Sequence, residues 1–249
     1  MGFDRRELVG PFDVIGDVHG CADELAELLD LLGYAPRAGV WRHPGGRRAV
    51  FAGDVVNRGP RNLATVDLVA PMLRAGSAVG VRGNHDQKIL ERLRDDQREP
   101  WAELAALPDG ERRRRRGQVA GFLASLDPYL ILDGGRLLVA HAGLPEAMHG
   151  LDTPLVRRFA QIGRPLGGRH PNGRPVRWDW AAEYGGAALV VYGHTPVEAP
   201  RWVNNTVNVD TGCVYGGALT ALRAPERECV TVRSHATHYQ PKRPHGPVV

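Results

Sequence analysis

The stretch that decides the fold is FDVIGDVHG at residues 12–20, a short apolar run that stops at a Gly-Asp pair. Two later apolar runs stop in the same way, at Gly-Asp in 53–54 and at Gly-Asn in 83–84. Helix-like stretches, with apolar residues three and four positions apart, separate these runs. The resulting β-α-β-α-β pattern predicts an α/β fold, in which polar residues at the ends of parallel strands gather at one edge of the sheet.

The composition is that of a globular chain able to bury a core, because 43% of its 249 residues are hydrophobic and 24% are charged. We expect one domain over 1–234, with a helical, arginine-rich insertion around 95–121, and a disordered tail over 235–249. The net charge of +4 is too small to indicate nucleic-acid binding, although it suits an anionic substrate. The five consecutive arginines at 112–116 repel one another, so we interpret them as a solvated, mobile segment; a patch that attracts substrate or nucleic acid is the alternative.

Cysteine usage and hydropathy indicate the compartment. The three cysteines form an odd number without a Cys-x-x-Cys pair, which argues against a disulfide framework and against a zinc ribbon. No run approaches the roughly 20 apolar residues that a membrane-spanning helix needs, and the N-terminus lacks the apolar region of a signal peptide. We therefore expect a soluble cytoplasmic protein.

Carboxylate, amide and imidazole side chains, which can bind metal ions, follow five of the apolar runs. Asp17 and His19 stand two residues apart after the first run, where both can face one ion. Carboxylate, amide and imidazole side chains recur at the ends of later runs, in Gly53-Asp54, Gly83-Asn84-His85, His141 and His194. Each histidine alone is more often a buried core residue than a ligand, but five such positions in one register are improbable by chance. The pattern predicts a metal site at the sheet edge.

These motifs, taken in order, resemble the signature of the calcineurin-like metallophosphoesterases of the phosphoprotein-phosphatase type. The resemblance covers 12–212 and rests on Gly-Asp-Val-His-Gly at 16–20, Gly-Asp-x-x-x-Arg-Gly at 53–59, Gly-Asn-His-Asp at 83–86, His-Ala-Gly at 141–143 and Gly-His-Thr at 193–195. Segments 190–196, 202–206 and 210–213 resemble the phosphatase module of bacterial polynucleotide kinase-phosphatases and the bacterial asymmetric diadenosine tetraphosphate hydrolases. The resemblance implies two packed mixed β-sheets flanked by helices.

The resemblance also implies a dinuclear metal site. Asp17 and His19 would hold the first ion, Asp54 would bridge, and Asn84, His141 and His194 would hold the second. Mixed carboxylate, amide and imidazole ligands suit Mn²⁺ better than metals that prefer thiolates, so we expect two divalent ions, with Mn²⁺ as the first choice. Two such ions activate a water molecule and neutralise charge during an in-line phosphoryl displacement.

Three further residues are expected to be catalytic by the same resemblance. Arg58 would grip the phosphate through two parallel hydrogen bonds, and His85 would protonate the leaving oxygen or orient the nucleophile. Asn57 and Asp86 depart from the family pattern, which has Asp beside the arginine and often Glu after the histidine. Because the Asn57 amide carries no negative charge, it gives a cationic His85 no support.

A loop rich in Gly, Pro and Arg carries candidate nucleotide contacts. Arg177 and Trp178 are expected to bind substrate together with Arg58 and Asn84. The reason is that aromatic rings beside arginines stack bases and hold phosphates. The alternative is that the aromatic residues of this loop only anchor it on the sheet.

The function predicted from these residues is hydrolysis of phosphoester bonds in nucleotide or polynucleotide substrates by a metal-activated water. The substrate would be a phosphorylated small molecule, a nucleotide or an RNA or DNA end, with no membrane and no obligate protein partner. Two alternatives stay open: a protein Ser/Thr phosphatase, and a catalytically inactive module that binds metal or phosphate. The complete set of candidate ligands argues against the inactive module.

Overall fold

A computed structural model describes residues 3–95, 99–170, 173 and 175–240 of the chain. Two five-stranded sheets lie at its centre. The first contains β1 (Phe12–Ile15), β4 (Arg48–Phe51), β5 (Ala78–Gly80), β13 (Ala218–Ala224) and β14 (Glu228–Arg233). The second contains β6 (Leu130–Leu132), β7 (Leu137–Val139), β10 (Leu189–Tyr192), β11 (Arg201–Val203) and β12 (Thr206–Asn208). Two short hairpins pair β2 (Ala35–Arg37) with β3 (Val40–Arg42) and β8 (Pro165–Arg169) with β9 (Pro175–Arg177).

The described residues also form six α-helices. They are α1 (Ala22–Leu31), α2 (Asn62–Arg74), α3 (Asn84–Arg94), α4 (Ala102–Ala105), α5 (Asp109–Ser125) and α6 (Pro154–Ile162). Because α1 and α2 fall between successive strands of the first sheet, they act as the crossovers that parallel pairing requires.

Both sheets are mixed. In the first, β1, β4 and β5 run parallel, and β13 pairs antiparallel with both β1 and β14. In the second, β10 lies parallel between β7 and β12, while β6 and β11 pair antiparallel at the edges. The predicted α/β fold with two mixed sheets flanked by helices is confirmed.

Three apolar layers follow from the alternation of side chains along the strands. In β1, Phe12 and Val14 join the layer between the sheets, together with side chains of β6, β7, β10 and β12. Ile15 faces the opposite way, into the layer that the helices α1, α2, α3 and α5 cover. On the far side of the second sheet, a third layer contains Phe159 of α6 and Trp180. Each sheet is therefore packed on both faces, which fixes where its strands end.

The interpretation of the arginine run at 112–116 as a mobile segment is wrong. These residues lie in α5, and three of them, Arg112, Arg115 and Arg116, pair with carboxylates outside that helix. Arg115 pairs with Asp67 of α2 at 2.7 Å, and Arg116 pairs with Glu99 at 2.9 Å. Repulsion within the run is offset because the carboxylates of Asp67 and Glu99 lie beside these guanidinium groups.

The tail predicted to be disordered from residue 235 begins with a segment that the structure describes. His235 donates to the Glu24 carboxylate from its backbone N–H at 3.0 Å, and His238 donates to the same oxygen from Nε2 at 2.7 Å. Residues 235–240 thus pack against α1 in the structure, and 241–249 lie outside the described residues. The packed part of the chain extends beyond the boundary predicted at 234.

Two further features concern the cysteines and the hydropathy of the helices. Cys21, Cys213 and Cys229 are all free thiols, and the first two are buried. Across the described ranges, no helix combines the length and the apolar character needed to cross a membrane.

Candidate metal centre

The residues predicted to bind metal lie where strands of both sheets end. Four of the six side chains are buried and two, those of Asn84 and His194, are half-buried. In chain order, Asp17 and His19 follow β1, Asp54 follows β4, Asn84 follows β5, His141 follows β7 and His194 follows β10. Both sheets thus contribute candidate ligands to one site at their common edge.

Asp54 lies at the centre of this group. Its Oδ2 is 3.5 Å from Nε2 of His19 on one side and 3.4 Å from Nε2 of His141 on the other. Its Oδ1 accepts a hydrogen bond from the backbone N–H of His85 at 2.8 Å. Donor atoms of Asp17, His19 and Asp54 all lie within 4.8 Å of one another. One carboxylate therefore faces both halves of the predicted ligand set.

The remaining donors surround His141 and Asp17. Nε2 of His141 is 3.1 Å from Oδ1 of Asn84 and 3.1 Å from Nδ1 of His194. The backbone N–H of His194 donates to Oδ1 of Asp17 at 3.3 Å. Oδ2 of Asp17 lies 4.0 Å from Nε2 of His19. The structure brings all six predicted ligands into one continuous cluster.

Two glycines make this close approach possible. A Cβ atom at Gly193 would lie 2.1 Å from Oδ1 of Asp17, and one at Gly83 would lie 2.1 Å from Oδ1 of Asp54. Each carboxylate occupies the space that a side chain at the end of another strand would need. The glycines of the Gly-His pair at 193–194 and the Gly-Asn pair at 83–84 are therefore needed because a larger residue would clash with these carboxylates.

Three of the six side chains project from strained backbone. The φ angles of His19 and Asp54 are both 50°, and that of His194 is 73°. Residues with a Cβ rarely adopt this left-handed conformation, and it persists where the surrounding structure enforces it, most often at functional sites. The backbone is thus shaped to aim these donors at one point.

The histidine rings are oriented as metal ligands are. Nδ1–H of His141 donates to the carbonyl of Ala52 at 3.1 Å, and Nδ1–H of His19 donates to the carbonyl of Val56 at 3.4 Å. Such hydrogen bonds select the tautomer and leave Nε2 facing the other donors. Nε2 of His194 is buried and finds no hydrogen-bond partner among the described residues. An orphaned imidazole nitrogen beside carboxylate and amide oxygens fits a divalent cation.

Electrostatics favour positive charge at the cluster. Burial opposes protonation of His141, but Asp54 and Asp17 outweigh it and raise the pKa of His141 to about 10. Burial also works against ionised Asp54, yet His141 and His19 hold the pKa of Asp54 well below its usual value. Burial and the nearby Asp210 raise the pKa of Asp17 well above its usual value. Carboxylates that repel one another and draw protons onto a neighbour also attract metal cations.

His85 adjoins the cluster, with Asn57 beside it. Nδ2–H of Asn57 donates to Nδ1 of His85 at 2.6 Å. A neutral ring that accepts at Nδ1 carries its proton on Nε2. Burial lowers the pKa of His85 to about 4, with Asp54 opposing the shift and Arg58 adding to it. His85 is therefore a neutral ring near pH 7, with Nε2–H as its donor.

Arg58 reaches the same cleft from a left-handed turn with a φ of 73°. Its Nη1 donates to Nε2 of His19 at 3.1 Å. Within the described ranges, no carboxylate lies close enough to Arg58 to form an ion pair. Arg58 lines a cavity of about 210 Å³ together with Asp54, Asn84 and Arg177. A guanidinium left un-neutralised beside a cation site is suited to bind phosphate.

The loop that carries Arg177 and Trp178 contributes unequally to this cavity. Arg177 lines it, whereas Trp178 packs edge-on against Phe159, with ring centroids 6.0 Å apart. Nε1–H of Trp178 donates to the Glu183 carboxylate at 2.7 Å. Trp180 is 5% exposed and belongs to the third apolar layer. Trp180 therefore anchors the loop, and the substrate contacts of Arg177 and Trp178 stay predictions.

Three residues of the site were not predicted to have a role. The Asp86 carboxylate accepts from the backbone N–H of Gly83 at 3.0 Å and of Val56 at 3.2 Å, which ties two motif loops together. Asp210 is buried, and its Oδ1 accepts from the N–H of Gly212 at 3.0 Å. Both stand inside sequence motifs, so their positions could have suggested a supporting role. Tyr215, which lines the cavity, gives no such signal.

Two packed mixed sheets with a carboxylate, amide and imidazole cluster at their common edge define a metal-dependent hydrolase. The family model described as calcineurin-like phosphoesterase matches residues 10–198. The chain belongs to this family of phosphoester hydrolases, which use divalent metal ions.

Similar proteins align with nearly the whole chain. It is 43% identical over 230 residues to the bis(5'-nucleosyl)-tetraphosphatase PrpE, asymmetrical, of Anoxybacillus flavithermus, covering 90% of this chain and 94% of that one. Identity to PrpE of Bacillus subtilis is 42% over 230 residues, with the same coverage of each chain. A crystal structure described as a candidate diadenosine tetraphosphatase matches with a TM-score of 0.68 and 25% identity, covering 93% and 96% of the two chains. A protein serine/threonine phosphatase from Saccharomyces cerevisiae shares the fold, with a TM-score of 0.55 and 14% identity over 96% and 84%.

Proposed function

We propose that the chain cleaves dinucleoside tetraphosphates off-centre and releases one nucleoside monophosphate and one nucleoside triphosphate. The observation that carries this proposal is the convergence of all six candidate ligands and Arg58 on one cleft. The substrate class is supported by the two PrpE relatives, which are bis(5'-nucleosyl)-tetraphosphatases of the asymmetrical type.

We assign two divalent ions, with Mn²⁺ as the first choice, to the donor cluster. Oxygen and imidazole donors without thiolates favour such an ion. Asp17 and His19 would hold one ion, Asp54 would be shared, and Asn84, His141 and His194 would hold the other. When bound, the ions would neutralise phosphate charge and lower the pKa of a water molecule.

Arg58 would bind the phosphoryl group that undergoes substitution. Its guanidinium lines the cavity and has no carboxylate partner among the described residues, so its charge is available to substrate. A planar fork of N–H donors matches two phosphate oxygens and supports the extra negative charge that they carry in the transition state.

His85 would donate Nε2–H toward the leaving oxygen. The Asn57 amide occupies Nδ1, so the second nitrogen is the one that can serve substrate. A nucleoside triphosphate leaves readily as an anion, whereas a developing alkoxide depends more on stabilisation by a hydrogen-bond donor. His85 would therefore matter most for phosphomonoesters with poor leaving groups.

The cleft suits the polyphosphate part of the substrate better than its nucleosides. Its volume of about 210 Å³ falls below the roughly 300 Å³ at which pockets begin to enclose drug-sized ligands. Phosphoryl groups would enter the cleft beside Asn84 and Arg177, and the nucleosides would lie along its rim. Trp178 is the predicted stacking residue on that side.

The test is product analysis with Mn²⁺-loaded protein and diadenosine tetraphosphate. Equal amounts of AMP and ATP would support the proposal, and ADP as the sole product would contradict it. Hydrolysis in ¹⁸O-labelled water would also locate the attack, because the label enters the phosphoryl group that water substitutes. The Arg58→Ala protein, prepared in parallel, is the control for contaminating hydrolases.

The same Mn²⁺-loaded protein distinguishes the proposed function from the two alternatives, a protein Ser/Thr phosphatase and an inactive binding module. A 5'-phosphorylated oligonucleotide and a phosphoserine peptide are compared with diadenosine tetraphosphate at equal concentration. Preferred turnover of the peptide would favour a protein Ser/Thr phosphatase. Metal binding without hydrolysis of any of the three would favour an inactive binding module.

A further inference from the structure

The chain returns to the cleft near its C-terminus through residues 234–240, here called the C-terminal strap. Its backbone is tied to the loop after the second sheet at both ends. Ser234 N–H donates to the carbonyl of Gly217 at 2.9 Å, and Tyr239 N–H donates to the carbonyl of Val214 at 2.9 Å. The strap is therefore a fixed part of the molecule up to Tyr239.

Glu24 of α1 holds the middle of the strap. This side chain is 2% exposed, and its Oε1 accepts from His235 N–H at 3.0 Å and from His238 Nε2–H at 2.7 Å. Helix α1 begins directly after the loop that contains Asp17 and His19. The hydrogen bonds to Glu24 therefore hold the strap in a fixed position relative to this candidate metal-binding loop.

A glycine permits the closest contact between the strap and the loop beneath it. A Cβ atom at Gly216 would lie 2.5 Å from Oγ1 of Thr237. Gly216 also has a φ of 90°, which ends the short 3₁₀ turn Cys213–Tyr215 and directs Tyr215 toward the cleft. Tyr215 and Tyr239 then meet edge to face, with ring centroids 6.1 Å apart.

Both tyrosine rings contact the guanidinium of Arg58. Its Cζ is 5.4 Å from the centroid of Tyr215 and 5.6 Å from that of Tyr239. A guanidinium within about 6 Å of an aromatic ring is attracted by the negative face of the ring. This attraction orients Arg58 without neutralising it, which a carboxylate partner would do.

Metal binding at Nε2 of His19 would remove the hydrogen bond that Arg58 makes to that nitrogen. Arg58 donates to Nε2 of His19, the nitrogen assigned to a metal ion under the proposed function. That nitrogen has one lone pair and cannot serve both. Within the described part of the chain, Tyr215 and Tyr239 are then the contacts that keep the guanidinium at the cleft.

We propose that Tyr215 and Tyr239 are positioning residues that hold Arg58 for phosphate, so that the C-terminal strap is part of the active site. The inference rests on the proposed function, because it assigns a phosphate to Arg58. The two rings act through Arg58, and they are not assigned to contact the nucleobase.

The test compares Tyr239→Leu with Tyr239→Phe, which keeps the aromatic face. Binding of inorganic phosphate to the Mn²⁺-loaded proteins is measured by calorimetry, and hydrolysis of p-nitrophenyl phosphate and of diadenosine tetraphosphate is measured in parallel. Tyr239→Leu should weaken phosphate binding and lower kcat/KM for both substrates on the order of fivefold, whereas Tyr239→Phe should match the wild type. Tyr215→Leu and Tyr215→Phe should differ in the same direction.

A double variant shows whether the ring acts through the arginine. In an Arg58→Ala background, Tyr239→Leu should cause no further loss. If Tyr239→Leu lowers kcat/KM by the same factor in the Arg58→Ala background as in the wild type, the ring does not act through Arg58 and the proposal is overturned. A decrease in kcat/KM for diadenosine tetraphosphate alone would also overturn it, because it would indicate direct contact between Tyr239 and the substrate. Wild-type behaviour of Tyr239→Leu would overturn it outright. A wild-type protein that neither binds phosphate nor hydrolyses either substrate would overturn the proposed function, and this inference with it.

Discussion

The side-chain amide of Asn57 lies 2.6 Å from Nδ1 of His85 and donates to it. The position of Asn57 is itself fixed, because its backbone N–H donates to Oδ1 of Asn62 at 2.6 Å. This pair shows what the amide does at the position where the family resemblance led us to expect a carboxylate. It directs the proton of a neutral His85 to the nitrogen that can face substrate.

Replacing Asn57 by Leu should therefore impair catalysis in a way that depends on the leaving group. Without the donor at Nδ1, the neutral ring can carry its proton on either nitrogen, so fewer molecules present Nε2–H. We expect kcat to fall about tenfold for alkyl phosphates and to change little for p-nitrophenyl phosphate. A series of leaving groups measures this as a steeper dependence of rate on leaving-group pKa. Equal losses across the series would contradict a hydrogen bond from Nε2–H of His85 to the leaving oxygen.

Arg58→Ala should separate phosphate binding from metal binding. The side chain lines the cavity but supplies no metal donor, so the protein should retain its metal content while kcat/KM falls by a factor on the order of 10². Arg58→Lys, which keeps the charge and loses the fork, should recover only part of the activity. Elemental analysis alongside kinetics checks both; parallel loss of metal and activity would make Arg58 a structural residue.

Asp54→Asn should abolish activity and lower metal content, because Oδ2 of Asp54 faces both His19 and His141. Chelation of the wild-type protein should have the same effect on activity, and added Mn²⁺ should restore it. Metal content per chain and turnover are measured on the same samples. Sustained turnover in the chelated protein would rule out the assigned site.

Gly193→Ala should weaken metal binding although residue 193 supplies no donor atom. The new methyl group would fall 2.1 Å from Oδ1 of Asp17, so the carboxylate must move away from its neighbours. Losses of about 10- to 100-fold in metal affinity are typical when the support of a ligand is disturbed. Gly185→Ala is the matched control, since a Cβ there meets nothing within 4 Å. Equal affinities for the two variants would show that Asp17 can relax freely.

Glu24→Gln should destabilise the fold at neutral pH and make no difference in acid. Burial would raise the pKa of Glu24, but hydrogen bonds from His238 and His235 outweigh it and lower the pKa below the usual 4.5. The carboxylate therefore adds stability that is complete above pH 4.5 and is lost as the pH falls through the lower folded value. We expect the free energy of unfolding to drop by about 1 to 2 kcal/mol near pH 7. Urea unfolding at several pH values measures whether the gap between the two proteins closes in acid.

The clustering of the candidate metal ligands was predictable because each of them follows an apolar run. Parallel pairing brings the ends of β1, β4 and β5 to one edge, so local sequence was enough to group Asp17, Asp54 and Asn84. His141 and His194 come from the second sheet, so the pattern could place them at strand ends, and the family resemblance was needed to assign them to the same ion as Asn84.

The contacts that hold the C-terminal strap and the arginine helix could not be predicted from local sequence. Pro- and His-rich segments usually lack apolar residues to bury, but His238 is held by a carboxylate 214 positions earlier in the chain. Arg115 likewise depends on Asp67, 48 positions away. Composition describes what a segment can bury by itself and carries no information about distant polar partners.

The contacts of Asp17 with Gly193 and of Asp54 with Gly83 couple positions that are far apart in the chain. A descendant that lost metal chemistry and shortened either aspartate would open space for a side chain at the corresponding glycine. Inactive lineages should therefore drift at both members of a pair, and a retained glycine opposite a lost aspartate would mark a recent loss.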